Sequence, residues 1–470
     1  MEKLTPFVQE HLLYLTSYYE SFSLNWSGKG YRKILSYYYR FFIPSTASIL
    51  EVGCGDGTLL ALLPNQNVTG VDVSDRQIER AKKQIPYGEF HAQSAETLSL
   101  NRKFDYIILS DTINQAADVQ GILENLHTVS HPQTRLVMNY YNNLWRLPLR
   151  FAEFLGWKSR PMPENWLACG DVRGLLEMTG WQIIKTQPKV LCPISIPIFE
   201  RWVNRWIAPI LPHACLTIFC LARSLRVAQS GDYSVSIIIP ARNEEGNIDN
   251  VILRTPDFGK SIEFIFVEGH SKDDTWSRIQ ELPKKYPQKN IRFLQQTGMG
   301  KGNAVREGFE QATGEILMIL DADLTMPPEE LPKYYHLLAS GYAEFANGVR
   351  LVYPMKEKAM RFLNLCANKV FSITFTWLLG QSVKDTLCGT KALFKKDYEK
   401  IVAHRSYFGD FDPFGDFDLL FGADKQSLKI VDIPIRYQDR SYGTTNIHRW
   451  KHGWLLLKMV VFAAKKLKFI

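Results

Sequence analysis

Residues 298–331 read GMGKGNAVREGFEQATGEILMILDADLTMPPEEL. Lys301 stands between two glycines at the start of a run with helical spacing; the apolar stretch EILMIL follows, and the segment closes on Asp321-Ala322-Asp323. A glycine-basic loop, a helix, a buried strand and an acidic turn, in that order, predict one unit of an α/β sheet. Two carboxylates at i and i+2 after a strand can hold Mg²⁺ or Mn²⁺ together with the phosphate oxygens of a substrate. A lone D-x-D is most often a solvated turn. Here two further apolar strands with polar ends precede it, SVSIIIPARNEEGNI (234–248) and EFIFVEGHSKDDTW (263–276). Three strand ends in order carry far more information than one.

The same alternation occupies the first half. SILEV, NVTGVDV, YGEFHA, FDYIILS and TRLVMNY read as strands with helical patterns between several of them, after a Tyr- and Phe-rich helical stretch over 8–44. The pattern fades through Pro188–Pro212, and the polar stretch Gln229-Ser230-Gly231-Asp232 precedes the second series. Two domains, 1–230 and 231–470, are expected, both α/β. The chain's 470 residues fit that number, since domains usually run to ~100–200 residues. With 46% apolar and 22% charged residues the chain is not disordered, collagen-like or a coiled coil. Lys and Arg number 56 against 48 Asp and Glu, a net +8 too diffuse to imply a nucleic-acid partner. Seven scattered cysteines with no C-x-x-C pair make neither a disulfide framework nor a zinc site.

In the first half, SILEVGCGDGTLL (48–60) places Glu51, Gly53, Gly55 and Gly57 between a strand and a helix start. Glycines there allow a tight turn and close approach to a ligand, and the helix N-terminus favours an anion. A dinucleotide fold would want Gly or Ala three places after Gly55, where Thr58 stands. The E-x-G-x-G-x-G form instead resembles motif I of class I S-adenosylmethionine-dependent methyltransferases. The resemblance covers roughly residues 35–225. It implies a Rossmann-like domain binding S-adenosylmethionine through Glu51, Gly53, Gly55 and Gly57, with Asp72 and Val73 at the ribose. HAQSAETL resembles the adenine loop, which implies Ser94, Ala95 and Glu96 near the base, although the family often has Asp where Ser94 stands. FDYIILSDTINQ resembles the fourth-strand motif, whose end, Ser110 and Asp111, faces cofactor and acceptor. Tyr140 to Asn143 either line the acceptor pocket or form a structural loop; the methyl acceptor is not legible.

From Ser234 to the C-terminus the chain resembles a family 2 glycosyltransferase of the GT-A fold, in the polyprenyl- or dolichyl-phosphate sugar transferase branch. By that likeness Pro240, Ala241, Arg242, Glu244, Glu268, Asp273, Lys301, Asp321 and Ala322 border the nucleotide-sugar. Asp321 and Asp323 bracket ribose and metal. Arg350 and Arg440 match arginines that meet the acceptor phosphate, a role suited to a bidentate fork. DTLCGTKALF (385–394) resembles the acceptor-side motif. Asp416 and Asp418 are the general-base candidates if the acceptor is a hydroxyl; an ionised phosphate needs no strong base. Three departures stand out: Val267-Glu268-Gly269-His270-Ser271 replaces V-D-D-G-S, Thr325 replaces a glutamine, and Arg440-Ser441-Tyr442-Gly443-Thr444-Thr445-Asn446 lacks a lysine that Arg449 or Lys451 could supply.

The expected protein is a bifunctional enzyme, with a lipid-phosphate sugar acceptor implied and the methyl group placed in the same glycan or glycolipid pathway. A soluble glycan or protein hydroxyl as acceptor, or one domain serving as a nucleotide-binding scaffold, remain the alternatives. The N-terminus has no basic start followed by an apolar run, so a cytoplasmic location is expected. The basic, apolar C-terminus from Trp454 and the stretch FLNLCANKVFSITFTWLLG (362–380) suit either peripheral membrane contact or packing. Neither is expected to span a bilayer, and oligomeric state is not legible.

Overall fold

The computed structural model describes residues 5–21, 26–155, 164–350, 352–353, 362–405, 415–438, 442 and 449–470. Two compact units divide the chain, residues 1–228 and 229–468. Each is built on its own seven-stranded sheet.

In the first unit the strands are β1 (Ile49–Val52), β2 (Val68–Asp72), β3 (Glu89–Ala92), β4 (Phe104–Ser110), β5 (Ser130–Tyr141), β6 (Trp181–Val190) and β7 (Thr217–Ser224). They lie in the order β3-β2-β1-β4-β5-β7-β6, and only β7 runs antiparallel to its neighbours. The central strand β1 is buried along its whole length, Glu51 included, as befits a parallel strand covered on both faces. Sequence patterning missed β6 because Pro188 interrupts it. Pro188 is tolerated because β6 is the edge strand, beside a register shift between Pro188 and Val190. The stretch around 207–222 is a short turn, Pro212–Ala214, followed by β7.

The second unit holds β8 (Ser234–Ala241), β9 (Ser261–Glu268), β10 (Asn290–Gln295), β11 (Ile316–Ile319), β12 (Phe345–Val349), β13 (Lys391–Phe394) and β14 (Ile430–Pro434). Their order is β10-β9-β8-β11-β13-β12-β14, with β13 antiparallel to both β11 and β12. Ile237, Ile238 and Ile239 of β8 are fully buried, each contributing about 1.5–3 kcal/mol of hydrophobic stabilisation. The helix Lys301–Gln311 lies close on this sheet because Gly308 lacks a side chain; a Cβ there would come within 2.5 Å of Ile238 Cγ2. That helix aims its N-terminus, with Lys301, at the C-terminal ends of the parallel strands. No helix among the described residues is long and apolar enough to cross a membrane.

Candidate active sites

In both sheets the chain steps outward from the first strand to the third, then returns to lay the fourth on the first strand's other side. Connections leave in opposite directions at that point, and a crevice opens beyond the strand ends.

In the first unit the crevice is a cavity of about 470 Å³, lined by Glu51, Gly53, Gly55, Asp72, Val73, Ser94, Ala95, Glu96 and Ser110 among others. Nine of the ten residues expected at the cofactor therefore converge. Gly57 does not line the cavity. Its φ is +78°, and a Cβ would press within 3.1 Å of Ala81, so its role is the turn and the packing of the next helix. Asp72 staples the loop: one carboxylate oxygen accepts from the Gly55 amide at 2.8 Å and the other from the Ser74 amide at 3.0 Å. Ser94 and Glu96 bond to each other through Ser94 Oγ and the Glu96 carboxylate.

The cavity also holds charge. Glu51 is 1% exposed, and its Oε2 has no hydrogen-bond partner. Burial pushes its carboxyl up to about 8, and the Arg32 guanidinium offsets only part of that. Arg32 donates to Ser110 Oγ at 2.5 Å and lies 3.7 Å from Asp111. Asp111, raised by burial to about 6, also accepts from Asn139 and adopts φ +59°, a strained backbone for a non-glycine residue. Arg32 and Tyr31, on the helix Trp26–Phe42, and Tyr19, on the helix Pro6–Ser21, also line the cavity. None of these was singled out from sequence, because an N-terminal aromatic helix carries no motif. Of the acceptor candidates, Tyr141 lines the cavity, Tyr140 is core, and Asn142 spends its side chain on Leu144, His213 and Cys215.

In the second unit the loops after β8 and β9 lace together. The Asn243 amide donates to Ser271 Oγ at 3.0 Å, Asn243 Oδ1 accepts from the Lys272 amide at 2.8 Å, and the Glu244 amide donates to Thr275 Oγ1 at 2.9 Å. Glu268, 1% exposed, accepts from the Ser271 amide and from Gln295. Burial works to raise its carboxyl, and these bonds outweigh burial and hold it low. Asp273 likewise accepts from Thr275 and from the Glu245 amide. Glu244, Glu268 and Asp273 thus shape the loops. The side chains of Ala241 and Ala322, both expected at the nucleotide, face the core, 2% exposed each, which leaves their backbone to meet a ligand. Arg242 is exposed beside Gly269, and Pro240 is half-buried.

Lys301 and Asp321 meet at 2.6 Å, with the carboxylate of Asp323 fixed by the Thr325 amide and hydroxyl at 3.1 and 2.8 Å. Thr325, read from sequence only as a substitution, is thus the positioning group for Asp323. Gly389 covers the pair: a Cβ there would sit 2.0 Å from Lys301 Nζ and 2.2 Å from Asp321 Oδ2. Arg350 forms a bidentate fork with Asp385, Nε to Oδ2 at 2.7 Å and Nη2 to Oδ1 at 2.9 Å, under a cation–π contact with Tyr437. That pairing commits two donors which a phosphate would otherwise use. Asp418, expected as a base, accepts from Arg405 at 2.9 Å and is 8% exposed. Gly415, just before Asp416, packs on Gly302, so the helix Asp416–Lys425 begins against the Lys301 loop. The Asp416 side chain and Arg440 lie outside the described residues.

A family model described as Methyltransferase domain matches residues 28–186, and one described as Glycosyl transferase family 2 matches residues 236–402. The chain carries a methyltransferase domain followed by a family 2 glycosyltransferase domain. It is similar to the dolichol-phosphate mannosyltransferase of Pyrococcus furiosus, 31% identical over 45% of this chain and 59% of the relative. It is also similar to the undecaprenyl-phosphate 4-deoxy-4-formamido-L-arabinose transferase of Pectobacterium carotovorum, 28% identical over 45% of this chain and 62% of the relative. The match thus spans less than two thirds of either relative's length. Among solved structures, magnesium protoporphyrin IX methyltransferase from Synechocystis aligns with 46% of this chain at 16% identity and TM-score 0.32, covering 99% of that protein.

Three outcomes follow from this geometry. The methyltransferase domain holds Glu51 protonated where an unfolded chain has lost the proton. Stability therefore declines as pH rises from the ordinary carboxyl value of 4.5 through about 8. Glu51→Gln should flatten that decline in thermal melts across the window. In the glycosyltransferase domain, Gly389→Ala should displace Lys301 and Asp321 and lower kcat/KM for sugar transfer roughly tenfold or more, ~1.4 kcal/mol, with circular dichroism unchanged. Arg350→Ala would leave Asp385 buried without its counter-ion. It should cost about 3–5 kcal/mol in urea unfolding, while Asp385→Asn paired with it recovers part of the loss.

Proposed function

We propose that the glycosyltransferase domain moves a sugar from a nucleotide-sugar to a polyprenyl phosphate, and that the methyltransferase domain moves a methyl group from S-adenosylmethionine to an acceptor in the same glycan or glycolipid route. The domains proposed are residues 1–230 and 231–470. The observation that carries the sugar-transfer reading is Lys301 paired with Asp321 beside the Thr325-anchored Asp323, at the strand ends where phosphates are met.

Asp321 and Asp323 offer hard carboxylate oxygens, the donor chemistry that suits Mg²⁺ or Mn²⁺. Among the described residues no group of three or more His, Cys, Asp or Glu could hold a metal alone, so phosphate oxygens and water would complete the ligand set. Such an ion would supply charge neutralisation of the departing nucleoside diphosphate. Lys301 adds a second positive charge on the same side, and Asp323 is held in place before any ligand arrives. An acceptor phosphate already ionised at pH 7 asks for no base. The similar proteins, a dolichol-phosphate mannosyltransferase and an undecaprenyl-phosphate 4-deoxy-4-formamido-L-arabinose transferase, support the same acceptor class. The protein would then work peripherally at the cytoplasmic face of a membrane.

For the methyl half, Asp72 and Gly55 form the nucleoside end of the cavity, and Glu51 offers an unpartnered oxygen to a cationic ligand. S-adenosylmethionine supplies a methyl group on a sulfonium, whose transfer depends on proximity and in-line alignment. Arg32 and Asp111 orient groups at the far end of that line.

The test is transfer from labelled nucleotide-sugars with Mn²⁺ or Mg²⁺ and polyprenyl phosphate. Label should enter the organic phase with wild type. It should fall at least a hundredfold, ~2.7 kcal/mol, with Asp323→Ala or with EDTA. Label confined to soluble or protein products would sink the lipid-phosphate reading.

A further inference from the structure

We propose that the methyl acceptor is a lipid-linked molecule, and that the rim of the methyltransferase cavity rests on an anionic membrane surface to take it up. The inference builds on the methyltransferase reading of that cavity.

The cavity lining combines polar groups with apolar side chains. Arg32, Asp111 and Tyr141 are among the former; Leu12, Leu149 and Ile194 are among the latter. The helix Arg146–Phe154 turns Pro148, Leu149 and Ala152 to the cavity. Its other stripe, Leu147, Phe151 and Phe154, is 75%, 61% and 83% exposed. A helix apolar on both sides belongs in a core or against a hydrophobic phase, and one stripe has neither. The segment after Ile194, which also lines the cavity, repeats the feature: Ile196, Ile198 and Trp202 are exposed. Ile198 is held at φ +70°, a conformation β-branched residues avoid, and is 83% exposed there.

Charge decides between occupants. Arg146 and Arg150 are exposed on that helix, and Arg201 and Arg205 follow in the second segment; the acids there are Glu153, partly buried, and Glu200, buried. Apolar and aromatic side chains flanked by arginines match an interface of acyl chains beneath anionic headgroups. An acceptor anchored in such a surface has its polar part delivered to Asp111 with its apolar part left at the rim. For an acceptor hydroxyl, an oxygen lone pair forms the new C–O bond, and the C–S electron pair returns to sulfur, giving S-adenosylhomocysteine. The hydroxyl proton passes to the Asp111 carboxylate.

The experiment uses the full chain, wild type and Leu147→Glu/Phe151→Glu, both exposed positions. Calorimetry with S-adenosylhomocysteine comes first; failure of wild type to bind would overturn the methyltransferase reading and this inference with it. Methyl-labelled S-adenosylmethionine is then supplied with the lipid fraction of the producing cells, dispersed in phosphatidylcholine–phosphatidylglycerol vesicles, and separately with their aqueous and protein fractions. Label should enter an organic-extractable product. The double variant should lose at least tenfold of that transfer and float less with the vesicles, with S-adenosylhomocysteine affinity within twofold of wild type. Label found only in water-soluble or protein product, no label despite cofactor binding, or full transfer by the variant would each overturn the inference.

Discussion

Everything in both halves depends on where the parallel strands reverse their order. A parallel strand pair needs a crossover, and when successive crossovers leave on opposite sides the strand ends are left uncovered. β1 and β4 create that opening in one sheet, β8 and β11 in the other. Glu51, Asp72 and Asp111 then project into the first opening, and Asp321 and Asp323 stand at the second, because strand ends are where backbone direction and side-chain chemistry can both be varied without unpacking the sheet.

The two openings handle buried charge differently. In the methyltransferase domain an arginine from an N-terminal helix is brought near two carboxyl groups, Asp111 and Glu51, and Glu51 is left with an unpartnered oxygen. Such an atom is costly unless a ligand satisfies it, so the cavity is organised for a guest at the expense of the empty fold. In the glycosyltransferase domain the acids are instead stapled by hydroxyls and amides, with Thr325, Thr275 and Ser271 holding Asp323, Asp273 and Glu268. A loop built in this way sets the directions of its carboxylates before substrate arrives, and its hydrogen bonds hold Asp273 and Glu268 below the ordinary carboxyl range. Arg350 and Asp385 extend the same principle to the antiparallel part of the sheet, where each satisfies the other in a place water hardly reaches.

Much of this was legible in the chain. Strand runs such as SVSIIIP and EILMIL announce themselves because a strand buried on both faces must be apolar throughout, and the glycine spacing of 53, 55 and 57 announces a turn. Other parts were hidden for physical reasons. β6 contains a proline that only an edge position tolerates, and edge position is a property of the finished sheet. Arg32 lies in an aromatic helix with no motif around it, and its role comes entirely from the distance to Ser110 and Asp111. Ala322, between Asp321 and Asp323, lies in the turn after β11, and its methyl is buried in the core, a placement that no spacing in the sequence announces.

The sequence by itself determined the two-domain α/β organisation, because periodicity and spacing are local properties; the pairing of methyl-transfer with sugar-transfer chemistry came from the resemblance of its motifs to two families. Which carboxylates are available and which are committed was decided only by tertiary structure. Asp418 is found with Arg405 2.9 Å away, and Gly389 looks like any loop glycine until Lys301 and Asp321 are found where its side chain would be. Both facts depend on contacts between segments far apart in the chain, and no spacing rule encodes a contact that only folding creates.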